Sequence, residues 1–360
     1  MKKILISPSK YVQDNGALSC LGEYVTVYGK KALLVASIED QERVQSTLNE
    51  AIAKNPFEIV YGRFGLECTN AEVERLISVC RSNDCDVILG LGGGKSLDTA
   101  KAVSHSEKLP VITIPTIAST DAPCSSLSVV YNEKNEFQEY KFYRCNPDMV
   151  LVDTGIIANA PVRFLVSGMG DALSTYFEAR SCAQSFAQNI PGGMSTRLAI
   201  SAAKLCYDVL MEDSLKAIAA CRNKVVTQSL ENIIEANTLL SGLGFESSGL
   251  AAAHAIHNGL TALEETHRYY HGEKVSFGTI VHLVLENAPK KELDEVITYC
   301  KSIGLPTNLE DLGVKKVTPE KVLAVAVLAT APSETIHNMP FKVTVADVYA
   351  AIYAADSLGR

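Results

Sequence analysis

Four of the chain's seven histidines fall within the 28 residues from Ser247 to Lys274, and two of them, His254 and His257, stand on a segment built largely of Ala and Gly. Small residues let a helix approach neighbouring backbone closely, which leaves those imidazoles as the reactive groups on an otherwise bare rod. His271 follows His254 by seventeen residues, beyond a loop, at the head of a second predicted helix, GEKVSFGTIVHLVLEN. Two neutral imidazoles from neighbouring helices hold a divalent metal when a carboxylate joins them. The bland alternative is a set of hydrogen-bonded core histidines. Asp171, in SGMGDALSTY, is the candidate third donor; the same residue also reads as the cap that opens a helix.

A second chemistry-bearing stretch is DVILGLGGGKSLD, residues 86–98. A buried strand runs into Gly92, Gly93 and Gly94, then Lys95, Ser96 and a helix carrying Asp98. Such a turn presents backbone N–H groups at a helix N-terminus and cradles a pyrophosphate, which any Cβ would hold away. It is not a Walker A loop, because Leu89 stands where the first glycine is required, and it does not match GxGxxG in register. After PVITIPT, the residues from Ile117 to Tyr131 gather the hydroxyls of Ser119 and Ser125 around Asp121. Ligands of open parallel sheets bind beyond the carboxyl ends of the strands, so both loops are expected to face one crevice. Without a ligand, they read as a tight glycine turn and a turn closed by local backbone hydrogen bonds.

The elements that must position these groups follow from periodicity. KALLVA, FEIVYG, CDVILGLGGG and PVITIPT are strand-length apolar runs, separated by amphipathic stretches such as DQERVQSTLNEAIAK and NAEVERLISVCRSN. That βαβ rhythm, with continuous rather than alternating strands, predicts a parallel sheet covered on both faces. From about Ala160 the texture changes to long Ala/Leu/Ile-rich helical periods, with boundaries near Pro161, Gly304 to Pro306 and Pro319. The expected fold is α/β: an N-terminal Rossmann-like parallel-sheet domain over 1–160 and an all-helical domain over 161–360 that carries the candidate metal ligands.

Length, 47% hydrophobic and 21% charged residues are ordinary for a globular protein of two domains. A net charge of −8 argues against nucleic acid and anionic membranes, which need a basic face. No run reaches the roughly 18 apolar residues of a membrane span, and the N-terminus lacks a secretory pattern, so a cytoplasmic protein is expected. The ten cysteines, scattered from Cys20 to Cys300 without a CxxC pair, read as reduced thiols packed as small hydrophobes.

The blocks GLGGGKSLDTAK, PTIASTDAPCSSLSVVY, GMGDALSTYFEAR, IEANTLLSGLGFESSGLAAAHAIHNGLTA, HRYYHGEKVSFG and ETIHNMP together resemble the group III, "iron-containing" alcohol dehydrogenase family, in its glycerol-oxidising branch. The resemblance spans essentially the whole chain. It implies a metal on Asp171, His254 and His271, and a dinucleotide whose pyrophosphate lies on Gly94 and Lys95. It also implies cofactor contacts from Thr116, Ser119, Ser125, Leu127 and Tyr131, with substrate hydroxyls held by Asp121 and the metal. The implied reaction is NAD-linked, zinc-dependent oxidation of glycerol, or a similar vicinal diol, at the secondary hydroxyl to the hydroxyketone. A homo-octamer is implied as well.

Two departures stand out. Iron-dependent relatives carry a fourth ligand, a His, four residues after the Asp; here the residue is Thr175, which leaves three protein ligands and favours zinc. At Ser37, after the strand ALLVA, the family usually places an Asp that holds the adenosine ribose. The rival readings are a dehydroquinate-synthase-like NAD and zinc enzyme, which would need more cations near the metal than Arg268 and Lys274, and a non-catalytic relative that binds NAD and metal without turnover.

Overall fold

The computed structural model describes residues 2–133 and 137–360. The chain divides into two compact units: Ser7–Pro161 with Ala220–Glu231, and Met1–Ile6 with Val162–Ala219 and Asn232–Arg360. Each is therefore assembled from separated pieces of sequence. The opening residues belong to the helical unit, where the Ser247 hydroxyl bonds both backbone groups of Ile6 at 3.0 and 3.1 Å. Ala220–Glu231 belongs to the sheet unit, where Glu231 accepts from the side chains of Gln13 and Thr154 at 2.7 Å each.

The first unit contains β1 (Tyr11–Asp14), α1 (Leu21–Tyr28), β2 (Lys31–Ala36), α2 (Ile38–Lys54), β3 (Glu58–Arg63), α3 (Asn70–Ser82), β4 (Val87–Gly92), α4 (Gly94–Glu107) and β5 (Val111–Pro115). It continues through β6 (Leu127–Tyr131), β7 (Phe137–Phe142), β8 (Met149–Asp153) and α5 (Thr154–Ala158). Six strands form one parallel sheet in the order β1-β8-β5-β4-β2-β3. The apolar runs are continuous because both faces are covered. Leu34, Leu89 and Ile112 join Leu21, Val44 and Leu48 on one side, while Leu33, Val35 and Ile88 join Leu76, Ile77 and Val103 on the other. Periodicity does not reveal β1, nor the antiparallel pair β6–β7 that follows the hydroxyl-rich loop.

The second unit is helical: α6 (Val162–Ser185), α7 (Arg197–Arg222, whose last turn counts with the sheet), α8 (Gln228–Glu235, whose residues up to Glu231 also count with the sheet), α9 (Ser241–Ser248), α10 (Ala252–Leu260), α11 (His271–Leu285), α12 (Lys290–Ile303), α13 (Pro319–Ala329) and α14 (Val345–Gly359). Helix α12 stops where Gly304 takes φ +82°, and Pro319 opens α13, as the sequence signals suggest. Helix α11 packs against α6, α10 and α14. No helix among the described residues is long and apolar enough to cross a membrane. Each of the ten cysteines is a thiol, and burial pushes Cys68 and Cys300 up to about 12.

Candidate functional site

Asp171 does not open a helix. It is the tenth residue of α6, buried at 2% exposure, and the capping reading fails because the helix starts nine residues earlier. Its neighbourhood is set by a close crossing. A Cβ on Gly170 would stand 2.4 Å from the carbonyl oxygen of Gly272, and one on Gly272 would stand 1.7 Å from that of Ser167. With no side chains between them, α6 and the first turn of α11 meet backbone to backbone. His271, the first residue of α11, thereby reaches Asp171.

The three predicted donors converge. The Nε2 of His271 lies 3.1 Å from Asp171 Oδ1, that of His254 lies 3.4 Å from it, and the three donor atoms fall within 4.8 Å of one another. Ligands bonded at about 2.0–2.1 Å around a tetrahedral zinc stand roughly 3.3 Å apart, so the donor set fits such an ion. The His271 side chain is 36% exposed, which leaves one side of the cluster open.

Both imidazoles are held by their other nitrogen. Glu178, fully buried two helical turns after Asp171 on α6, places Oε2 2.6 Å from His254 Nδ1, while Oε1 accepts the backbone N–H groups of Ala251 and His254 at 2.8 and 3.1 Å. Ala251 cannot cap α10 itself, so Glu178 supplies the cap and orients the imidazole together. His271 Nδ1 lies 3.1 Å from His257 Nε2, whose Nδ1 lies 3.0 Å from Asn258 Oδ1, and Asn258 donates to Glu334. Burial, then the charges of His271, Lys274 and His254, hold His257 well below its ordinary range, so it is neutral. A neutral ring that donates to Asn258 accepts from His271 Nδ1–H, which leaves Nε2 as the His271 nitrogen that faces Asp171.

Burial would raise the Asp171 and Glu178 carboxyls. The neighbouring imidazoles outweigh it and hold both below the usual carboxylate range. His257 and Glu178 are the functional residues the spacing does not identify: the first is ambiguous in sequence, the second unmarked. Thr175 is buried, its Oγ1 3.0 Å from Ser241 Oγ, and a Cβ on Gly244 would stand 2.4 Å from its Cγ2. Thr175 therefore spends its hydroxyl on Ser241 and offers no imidazole to the cluster.

In the sheet unit, the strand order reverses between β2 and β4, and the loops leaving those strands adjoin. Gly92 takes φ +138°, a conformation open to glycine, and Gly93 stands before α4 with no side chain capping that helix. The N-terminal amides of α4 are thus available to an anion. Lys95 lies 2.5 Å from Glu67 and over the Tyr131 ring at 5.0 Å. Ser96 is turned inward, donating to Val35 and Leu91 carbonyls at 3.1 and 2.9 Å. Asp98 is buried, paired with Lys101 at 2.9 Å and accepting from Val129 N–H at 2.9 Å. Lys101 also donates to the Ala122 carbonyl at 2.9 Å and to Ser125 Oγ at 3.1 Å. It therefore ties the loop carrying Ser119 and Asp121, both half-buried, to α4. Leu127 opens β6 and Tyr131 closes it. Ser37 caps α2, accepting Asp40 N–H at 3.0 Å, and Thr116 donates to Asp40 at 3.1 Å.

Similarity to known proteins identifies the family. The family model described as iron-containing alcohol dehydrogenase matches residues 8–154. The glycerol dehydrogenase of Citrobacter freundii is 50% identical over 360 residues, covering 100% of this chain and 99% of that one. Among solved structures, glycerol dehydrogenase from Schizosaccharomyces pombe superimposes with a TM-score of 0.96 at 42% identity, covering 99% of this chain and 91% of the other. A probable glycerol dehydrogenase from Sinorhizobium meliloti 1021 gives 0.94 at 44% identity, with 99% of each chain covered. Near-complete coverage at such identities leaves one assignment: the chain belongs to the iron-containing alcohol dehydrogenase family, in its glycerol dehydrogenase branch.

Proposed function

We propose that the protein is a cytoplasmic, zinc-dependent, NAD-linked oxidoreductase that converts glycerol, or a similar vicinal diol, to the hydroxyketone, dihydroxyacetone in the case of glycerol. The observation that carries the reading is the cluster of Asp171, His254 and His271, with two Nε2 atoms aimed at one carboxylate oxygen and an open side. These three residues would hold one zinc ion per chain in the helical, metal-binding part. Thr175, bonded to Ser241 and carrying no imidazole, supports three ligands and hence zinc over iron. Gly92, Gly93, Gly94 and Lys95 would receive the pyrophosphate of NAD in the sheet, with Thr116, Ser119, Ser125, Leu127 and Tyr131 lining its path. Ser96, Asp98 and Lys101 hold that loop in shape. We extend the reading to a homo-oligomer, an octamer by family resemblance.

Bound in these places, zinc supplies Lewis acidity toward the C2 hydroxyl and NAD is the hydride acceptor. The chain's own residues then orient and select. Glu178 and His257 fix the rings of His254 and His271 so that their Nε2 lone pairs stay convergent. Asp121 offers a carboxylate to a second substrate hydroxyl, which favours diols over simple alcohols. The test is NADH formation from glycerol by purified protein, alongside elemental analysis. About one zinc per chain, loss of turnover on chelation and its return with zinc are expected, and His271→Ala should abolish turnover without unfolding the protein. Active protein devoid of metal would refute the assignment.

A further inference from the structure

The sheet turns back on itself between β2 and β4, and in parallel α/β sheets the ligand settles in the crevice at such a reversal, beyond the carboxyl ends of the two strands. The loops leaving those ends are Ser37–Asp40 and Gly92–Lys95. Dinucleotide sites of this type place a carboxylate after the second strand, where it accepts from the adenosine ribose and repels a 2′-phosphate. This chain has Ser37 there. Its hydroxyl is already committed: Oγ accepts Asp40 N–H at 3.0 Å and donates to Asp40 Oδ2 at 3.1 Å.

The carboxylate one turn into α2 occupies the crevice instead. A Cβ on Gly92 would stand 3.1 Å from Asp40 Oδ2, and Oδ1 accepts Thr116 Oγ1–H at 3.1 Å, so Asp40 stands beside the end of β4 and is bonded to the residue that follows β5. Arg43 closes on Oδ1 at 2.8 Å from the exposed side of α2. A carboxylate has about four acceptor positions. Ser37, Thr116 and Arg43 take three, and the Asp40 side chain keeps 19% of its surface open for another donor.

We propose that Asp40, held by the Ser37 cap, has taken over from position 37 the selection of NAD against NADP, and that its ion pair with Arg43 withholds that guanidinium from a 2′-phosphate. The inference rests on the reading that a dinucleotide lies on the glycine loop. Ser37 then acts on the cofactor only through Asp40.

Equilibrium binding of NADH and of NADPH to the intact, zinc-loaded protein, followed by nicotinamide fluorescence, tests this without turnover. Wild type should prefer NADH. The near-isosteric Asp40→Asn, with its thermal midpoint checked, should weaken NADH about tenfold and tighten NADPH, and adding Arg43→Ala should remove the NADPH gain while leaving NADH unchanged. Arg43→Ala alone, on an exposed side chain, should keep NADH within about twofold and weaken NADPH about fivefold, because Asp40 is then uncompensated. Equal losses for both cofactors in Asp40→Asn, or an unchanged ratio in either single variant, would overturn the proposal while leaving the dinucleotide reading intact. Wild type that binds neither cofactor would overturn both.

Discussion

Glu178 carries three hydrogen bonds that end on one histidine and the turn before it, so its loss should be felt at the metal rather than in the fold. Glu178→Gln keeps the size but loses the charge that fixes His254, and zinc affinity should fall about 10–100-fold in a competitive chelator titration. Asp121 makes a different prediction. If it receives a second substrate hydroxyl, Asp121→Ala should cost glycerol about 1.5–3 kcal/mol in kcat/KM, the usual worth of a hydrogen bond to a charged group. A monohydric secondary alcohol should lose much less, and equal losses would make Asp121 structural. The histidines are legible in sequence because imidazoles on an Ala/Gly rod have little else to do. Glu178 is not, since in YFEARS it reads as an ordinary polar helix position, and its burial depends on Ala251, which arrives 73 residues later.

Among the elements, β2, β4, β5 and their helices follow from nearly continuous apolar runs, because both faces are buried; the one polar residue inside β5, Thr113, is satisfied by donating to the Pro123 carbonyl at 2.8 Å. The β6–β7 pair is hidden because FQEYKF is half polar without strict alternation, and by the serine-rich loop before it. Nor does spacing reveal what locks that loop to α4. Lys101 and Asp98 are i,i+3 partners with side chains 2% and 7% exposed, reaching backbone as far as Val129. Lys101→Met should destabilise the protein by about 3–5 kcal/mol, since it strands a buried carboxylate, and Asp98→Asn in the same chain should recover a substantial part. Urea denaturation of wild type and the two variants measures this; equal stability of the single and double variants would show that the ion pair is not what holds the loop.

At the scale of the molecule, stability should carry an acid limb from Arg180, which pairs with Glu286 and lies 2.7 Å from Glu292. Burial alone would raise the Glu286 carboxyl, but His282 and Arg180 hold it below the ordinary glutamate value. A depressed carboxyl contributes stability that is fully present above its unfolded value, near about 4.3, and is lost as pH falls through the folded value. Glu286→Gln should therefore cost about 2 kcal/mol at neutral pH, and its thermal midpoint should converge on wild type as pH falls below about 4. A gap that is constant with pH would exclude the ion pair as its cause. Two helical-unit partners also set a timetable for synthesis. Ile6 waits for Ser247, 241 residues downstream, before its backbone is satisfied. At about 5–20 residues per second on a ribosome, that interval is roughly 12–50 s. Ile6 is thus made well before the hydroxyl that completes it, and this contact stays open in the nascent chain for the whole of that interval.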